Sequence, residues 1–149
     1  PARVQSFEIA RAGTRPWRGE KASRAEATFA LAGLPPGREL YAPDAADAVA
    51  GTLAGLDFED VRRADAAEPD AGEARATFRT FDGLVVTVVG RRDADAHWLG
   101  LEVDHDPAFA ARFPPAAGDE APGGEHVRAE AERLDATTRG WWYRVTPDR

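Results

Sequence analysis

The sequence predicts an α+β fold in which an antiparallel meander of about five to six strands packs against two amphipathic helices. In the segment EARATFRTFDGLVVTVVG, apolar and polar residues alternate in the manner of two strands on either side of Asp82-Gly83. The pair Asp-Gly favours the positive φ angles of a two-residue hairpin turn. Apolar residues recur at helical spacing in 45–56 and 125–139. A chain of 149 residues can bury an adequate core without disulfides, so we expect one domain over 1–149.

The other strands of the predicted sheet surround this hairpin. HWLGLEVD, after a polar turn at 91–96, is a third strand that directs Leu99, Leu101 and Val103 to the core. Further strands are expected at 3–11, around 28–31, at 58–63 and at 141–145. Proline and glycine predict irregular chain at 12–24, 34–40, 64–73 and 106–124, the last with one helical turn near 109–113.

Burial of large apolar side chains is expected to drive folding, since each contributes about 1.5–3 kcal/mol. The predicted core comprises Val49, Leu53, Leu56, Phe78, Leu84, Val86, Val88, Leu99, Leu101, Leu134 and Trp141.

Three aromatic residues follow Gly140, the residue expected to end the second helix. In a strand, Trp141 and Tyr143 share one face and Trp142 takes the other. We predict a closing strand whose Trp141 and Tyr143 face seals the core. The alternative is that Trp142 and Trp98 lie exposed on the outer face of the sheet, as surface contacts that stack on sugars or on a partner.

One polar group, Glu102, Asp104, His105 and Asp106, contains residue types that bind metal ions. Glu102 and Asp104 would share a strand face about 7 Å apart, and the other two could approach from the following turn. Carboxylates with an imidazole suit a hard or borderline divalent cation, so a metal-dependent hydrolase centred on this group is an alternative function. The favoured interpretation is a charged, water-facing strand end, because neither HExxH nor DxDxDG occurs.

The composition argues against several classes of protein. A net charge of −7 provides no basic field for nucleic acid or for an anionic membrane. No apolar run approaches the roughly 20 residues that span a bilayer. The sequence also lacks a GxSxG elbow and a glycine-rich phosphate loop, so we predict neither a catalytic set nor a cofactor.

Several segments resemble a bacterial family known as domain of unknown function 4340. RVQSFEIAR is similar to its opening strand, and FALAGLPPGREL with LAGLDFEDVR resembles its central block, the most specific match. TFDGLVVTV resembles its hairpin. EAERLDATTRGWWYRV looks like its closing block, in which Trp141 and Tyr143 would be the two aromatics of a Trp-x-Tyr strand.

This resemblance implies a single module, the C-terminal one, of a longer envelope protein that carries an upstream membrane anchor. Members of the family are thought to be encoded near ABC-type exporters linked to gliding motility. The family has no established catalytic residues. We therefore predict a non-enzymatic, extracytoplasmic (periplasmic) accessory module that acts through protein contacts near an ABC-type membrane transporter.

Overall fold

The computed structural model describes residues 2–33, 44–65, 73–116 and 121–146. They form one antiparallel sheet with the strand order β3-β2-β1-β5-β6-β7-β8-β4. The strands are β1 (Val4–Arg11), β2 (Trp17–Glu20), β3 (Ala30–Ala32), β4 (Asp60–Arg63), β5 (Ala74–Thr80), β6 (Leu84–Asp93), β7 (Ala96–His105) and β8 (Trp141–Val145). The helices are α1 (Ala45–Gly51), α2 (Pro107–Ala110) and α3 (Gly124–Thr138), and a 3-10 turn, Thr52–Gly55, follows α1.

The α+β class and the antiparallel sheet are confirmed, whereas the expected number of elements is too small. The described residues contain eight strands and three α-helices instead of five to six strands and two helices. Strands β5, β6 and β7 are consecutive in sequence and neighbours in the sheet, so they form the meander predicted around the hairpin, whereas β8 joins β7 only after α2 and α3. The predicted turn at 34–40 and most of the predicted loop at 64–73 lie outside the described residues.

Strand β2 lies inside the region 12–24, which was predicted to be irregular. Its register places Gly19 opposite Phe7 of β1. A Cβ atom at Gly19 would lie 2.5 Å from the Phe7 ring, so the glycine makes room for that ring. The strand therefore depends on a tertiary contact, which the local pattern of proline and glycine does not reveal.

The hairpin between β5 and β6 is confirmed, but the predicted two-residue turn is wrong. The Gly83 amide donates to the Thr80 carbonyl at 3.0 Å, and Gly83 has a φ of +90°. Asp82 has no positive φ, and its buried carboxylate accepts hydrogen bonds from the Thr80 hydroxyl and from Arg3. A Cβ atom at Gly83 would lie 2.5 Å from the Asp106 carbonyl oxygen, so this turn requires glycine.

Helices α1 and α3 pack on the same face of the sheet, here called the helix face. Ala46 and Ala50 of α1 join the cluster around Phe7 and Phe78. The inner residues of α3 are Val127 and Ala131, which pack against Leu84 and Val103. No described helix is long and apolar enough to cross a membrane.

The predicted core is correct in position but not in every residue. Phe78, Leu84 and Val88 are buried, and the other predicted core residues are half-buried. Trp141 and Tyr143 point to the helix face but are only half-buried, so they do not seal the core as predicted. The buried aromatic residue of the closing strand is Trp142, on the opposite face.

An ion-pair network ties the chain start and α3 to the hairpin turn. The Arg3 guanidinium donates to the Asp82 carboxylate at 2.8 Å and to both carboxylate oxygens of Glu130 at 2.9 and 2.6 Å. The hydrogen bond from Arg3 holds the pKa of Glu130 below its ordinary value, against the opposing effect of burial. Because this pKa is depressed in the folded protein, Glu130 stabilises the fold above its unfolded pKa.

We expect this contribution to disappear as the pH falls below the pKa of Glu130 in the unfolded chain and then through its lower pKa in the folded protein. The variant Glu130→Gln should therefore lose less stability than the parent protein between neutral and acidic pH. Urea unfolding followed by circular dichroism at several pH values measures this difference.

The matched control is Glu132→Gln on the same helix, where Glu132 is exposed and lies 3.9 Å from Arg128. Its pH dependence should follow that of the parent protein, since exposed pairs contribute little. If Glu130→Gln also followed the parent curve, the stabilising role of the Arg3 pair would be refuted.

Candidate functional site

The sheet face opposite α1 and α3, here called the open face, carries arginine and tryptophan side chains from several strands. The strand register places one row of five residues across five strands: Arg75, Val89, Gly100, Trp142 and Arg62. A second row contains Arg91, Trp98, Arg144 and Asp60. Tryptophan and arginine therefore alternate across neighbouring strands.

Both tryptophans of the open face are buried, so the alternative in which Trp98 and Trp142 lie exposed as a stacking surface is wrong. Only 8% of Trp98 and 6% of Trp142 is exposed. The Arg62 guanidinium lies 4.8 Å from the Trp98 ring centroid, and that of Arg91 lies 5.2 Å from the Trp142 ring centroid. Stacked arginines thus cover the indoles, an arrangement that cation–π attraction favours.

A groove of about 400 Å³ lies beside Trp142 on the open face. Gly100 makes space for the Trp142 ring, because a Cβ atom there would lie 3.3 Å from the ring. The rim includes Arg75, Glu102 and Arg139. Such a volume is at the small end of ligand sites. Residues 66–72, which join the segments on two sides of this groove, lie outside the described residues.

The Arg139 side chain on this rim is engaged with acidic partners. It donates to Asp135 at 2.7 Å and lies 3.7 Å from Glu102. The hydrogen bond from Arg139 holds the pKa of Asp135 below its ordinary value. Asp135 also accepts the Val103 amide at 3.0 Å, which connects α3 to β7. These contacts give Arg139 a structural role at the junction of helix and sheet.

The four candidate metal ligands of the alternative function do not assemble into a site. Glu102 lies near Arg139, and the Asp104 carboxylate accepts the main-chain amide of His105 at 2.7 Å. Asp106 caps α2 by accepting the Phe109 amide at 2.9 Å. His105 is paired with Leu84 on the helix face, away from Glu102. In the described ranges, no group of three or more His, Cys, Asp or Glu side chains could hold a metal ion.

The central strand β5 carries an arginine stripe on the open face, formed by Arg75 and Arg79 with Thr77 between them. At one end of this stripe, the Phe109 ring centroid lies 5.8 Å from the Arg79 guanidinium and 5.2 Å from that of Arg112. Among the described residues, none of these three arginines has an acidic partner. Sequence reasoning missed this stripe, although the alternation in EARATFRTF was its signal.

The open face also carries four acidic residues beside the arginine stripe: Glu8 on β1, Glu20 on β2, and Glu102 and Asp104 on β7. Glu8, which is opposite Thr77, lies 3.4 Å from Arg18. Glu59, near the sheet edge, lies 3.4 Å from Arg144. Among the described residues, none of these carboxylates forms an ion pair with Arg75 or Arg79.

Comparison with known proteins adds no assignment: no protein-family model, no curated protein and no solved structure matches the chain. The resemblance to domain of unknown function 4340 therefore stays a prediction.

Proposed function

We propose that this chain is a non-enzymatic binding module that contacts a partner protein through its open face. This proposal depends on the arginine stripe of β5, whose guanidinium groups form no ion pair with an acidic residue in the described part of the chain. Helices α1 and α3 cover the helix face, so that face forms the core and the open face is the one proposed to contact the partner. Arginine is well suited to protein contacts, because its planar group both stacks and donates several hydrogen bonds.

The compartment and the partner in this proposal come from the resemblance to domain of unknown function 4340. On that basis the module acts outside the cytoplasm as an accessory protein near an ABC-type exporter. The candidate metal ligands are distributed among separate structural contacts, which favours binding over metal-dependent hydrolysis.

Site-specific photo-crosslinking in the source organism tests this proposal. A photoreactive amino acid replaces Thr77, which lies within the stripe, or Ala136, which is exposed on α3. We expect an adduct with an envelope transporter subunit from position 77 and not from position 136. Equal adducts from both positions would refute the open face as the contact surface, and purely cytoplasmic adducts would refute the compartment.

A further inference from the structure

We propose that the open face binds an acidic, extended segment of its protein partner, with two carboxylates four residues apart placed against Arg75 and Arg79. This inference rests on the proposed function and adds the chemistry of the partner. It follows from the distance between Arg75 and Arg79 along β5, from their position on the same face, and from the absence of an ion pair to either of them among the described residues.

The spacing of the stripe defines the spacing of its ligand. Arg75 and Arg79 are four residues apart on one strand and face the same side. At about 3.3 Å per residue, their Cα atoms are roughly 13 Å apart. An extended peptide has the same rise, so acidic residues at positions i and i+4 match the two guanidinium groups.

The surface between the two arginines is shallow and polar. Thr77 lies between them and is paired with Thr87 of β6. Ser6 of β1 is opposite Arg79. Glu8 of β1 is opposite Thr77, and the hydroxyl groups of Ser6, Thr77 and Thr87 can donate or accept hydrogen bonds.

The charge of the stripe selects a carboxylate ligand. Arginine forms bidentate hydrogen bonds with carboxylates, and these are stronger than bonds between neutral groups. Arg112 adds a third guanidinium group, which lies against the same Phe109 ring as Arg79. Glu8, the acid opposite Thr77, lies 3.4 Å from Arg18.

The net charge of the chain limits the ligand to a short acidic segment. At −7, the protein repels a long polyanion such as nucleic acid, and likewise an anionic membrane. Repulsion from distant acids is screened beyond about 8–10 Å at physiological salt. A short peptide whose two carboxylates lie against Arg75 and Arg79, with neutral residues between them, keeps its charges away from Glu8, which is opposite Thr77.

Fluorescence anisotropy with the full chain tests this inference. The probe is a short labelled peptide of serine and threonine with glutamates at i and i+4. Its controls carry glutamines there, or two adjacent glutamates. We expect the i, i+4 peptide to bind best and to weaken as salt rises. The double variant Arg75→Gln/Arg79→Gln should bind it about tenfold more weakly, the loss expected for charge-assisted contacts.

The matched control is Arg128→Gln/Arg133→Gln, which removes two exposed arginines of α3 and should leave the affinity unchanged. Urea midpoints show whether both double variants remain folded. Equal binding of the glutamine peptide, or preferential binding of single-stranded DNA or of anionic vesicles, would overturn the inference. Crosslinking from position 77 does not depend on the charge of the partner. If a partner adduct formed there but the glutamate peptide did not bind, only the inference that the partner segment is acidic would be refuted. Peptide binding with equal adducts from positions 77 and 136 would refute the proposed function.

Discussion

Replacing Phe7 with alanine is expected to lower the free energy of unfolding by about 4 kcal/mol, in the range measured for buried phenylalanines. Phe7 is 1% exposed, and its ring lies 5.3 Å from that of Phe29 and 5.5 Å from that of Trp17. It also fills the space above Gly19, so its removal leaves a cavity between β1, β2 and α1. Urea unfolding followed by circular dichroism should show a lower midpoint with an unchanged slope.

The matched control for Phe7 is Phe58→Ala. Phe58 is 43% exposed and its ring lies 4.6 Å from Tyr143. We expect a loss of about 1 kcal/mol or less, since little buried surface is removed. Equal losses at the two positions would contradict the placement of Phe7 in the core and of Phe58 at the exposed surface.

Replacing Trp142 with alanine is expected to lower the free energy of unfolding by about 3–4 kcal/mol. Its indole packs with Val89 and Trp98, lies over Gly100 and supports the Arg91 guanidinium. Alanine would leave a cavity there and would remove the aromatic surface beneath Arg91. The variant Trp142→Phe should retain most of the stability, because an aromatic ring still covers Gly100.

Trp141, the residue next to Trp142, provides a control because the same substitution of tryptophan by alanine can be made there. Trp141 is half-buried and lies on the helix face, where Arg63 stacks on it at 5.2 Å. Trp141→Ala should therefore be less damaging than Trp142→Ala, as judged by urea unfolding. The reverse order would indicate that β8 presents the opposite faces and would contradict the register described above.

The strongest local patterns predicted the middle of the sheet. Alternation on both sides of Asp82-Gly83 identified β5 and β6, and the amphipathic stretch 125–139 identified α3 nearly to the residue. Strand β2 was missed because Gly19 belongs to a strand only where the Phe7 ring lies against it. Tertiary packing there overrides local preference.

The candidate site was harder to predict than the fold. Alternation correctly placed Trp98 and Trp142 on one face, but their burial depends on Arg62 and Arg91, which are distant in sequence or on another strand. The arginine stripe was visible as a pattern in β5. Its importance appears only when the topology shows that α1 and α3 both pack on the other face.

Amide chemical shifts of the isotope-labelled full chain, followed during titration with the i, i+4 glutamate peptide, test the central claim most directly. The open face is predicted to respond, with the largest changes at Thr77, Thr87 and Ser6. Changes confined to the exposed surfaces of α1 and α3, or no changes at saturating peptide, would contradict the assignment of the open face as the binding surface for an acidic partner.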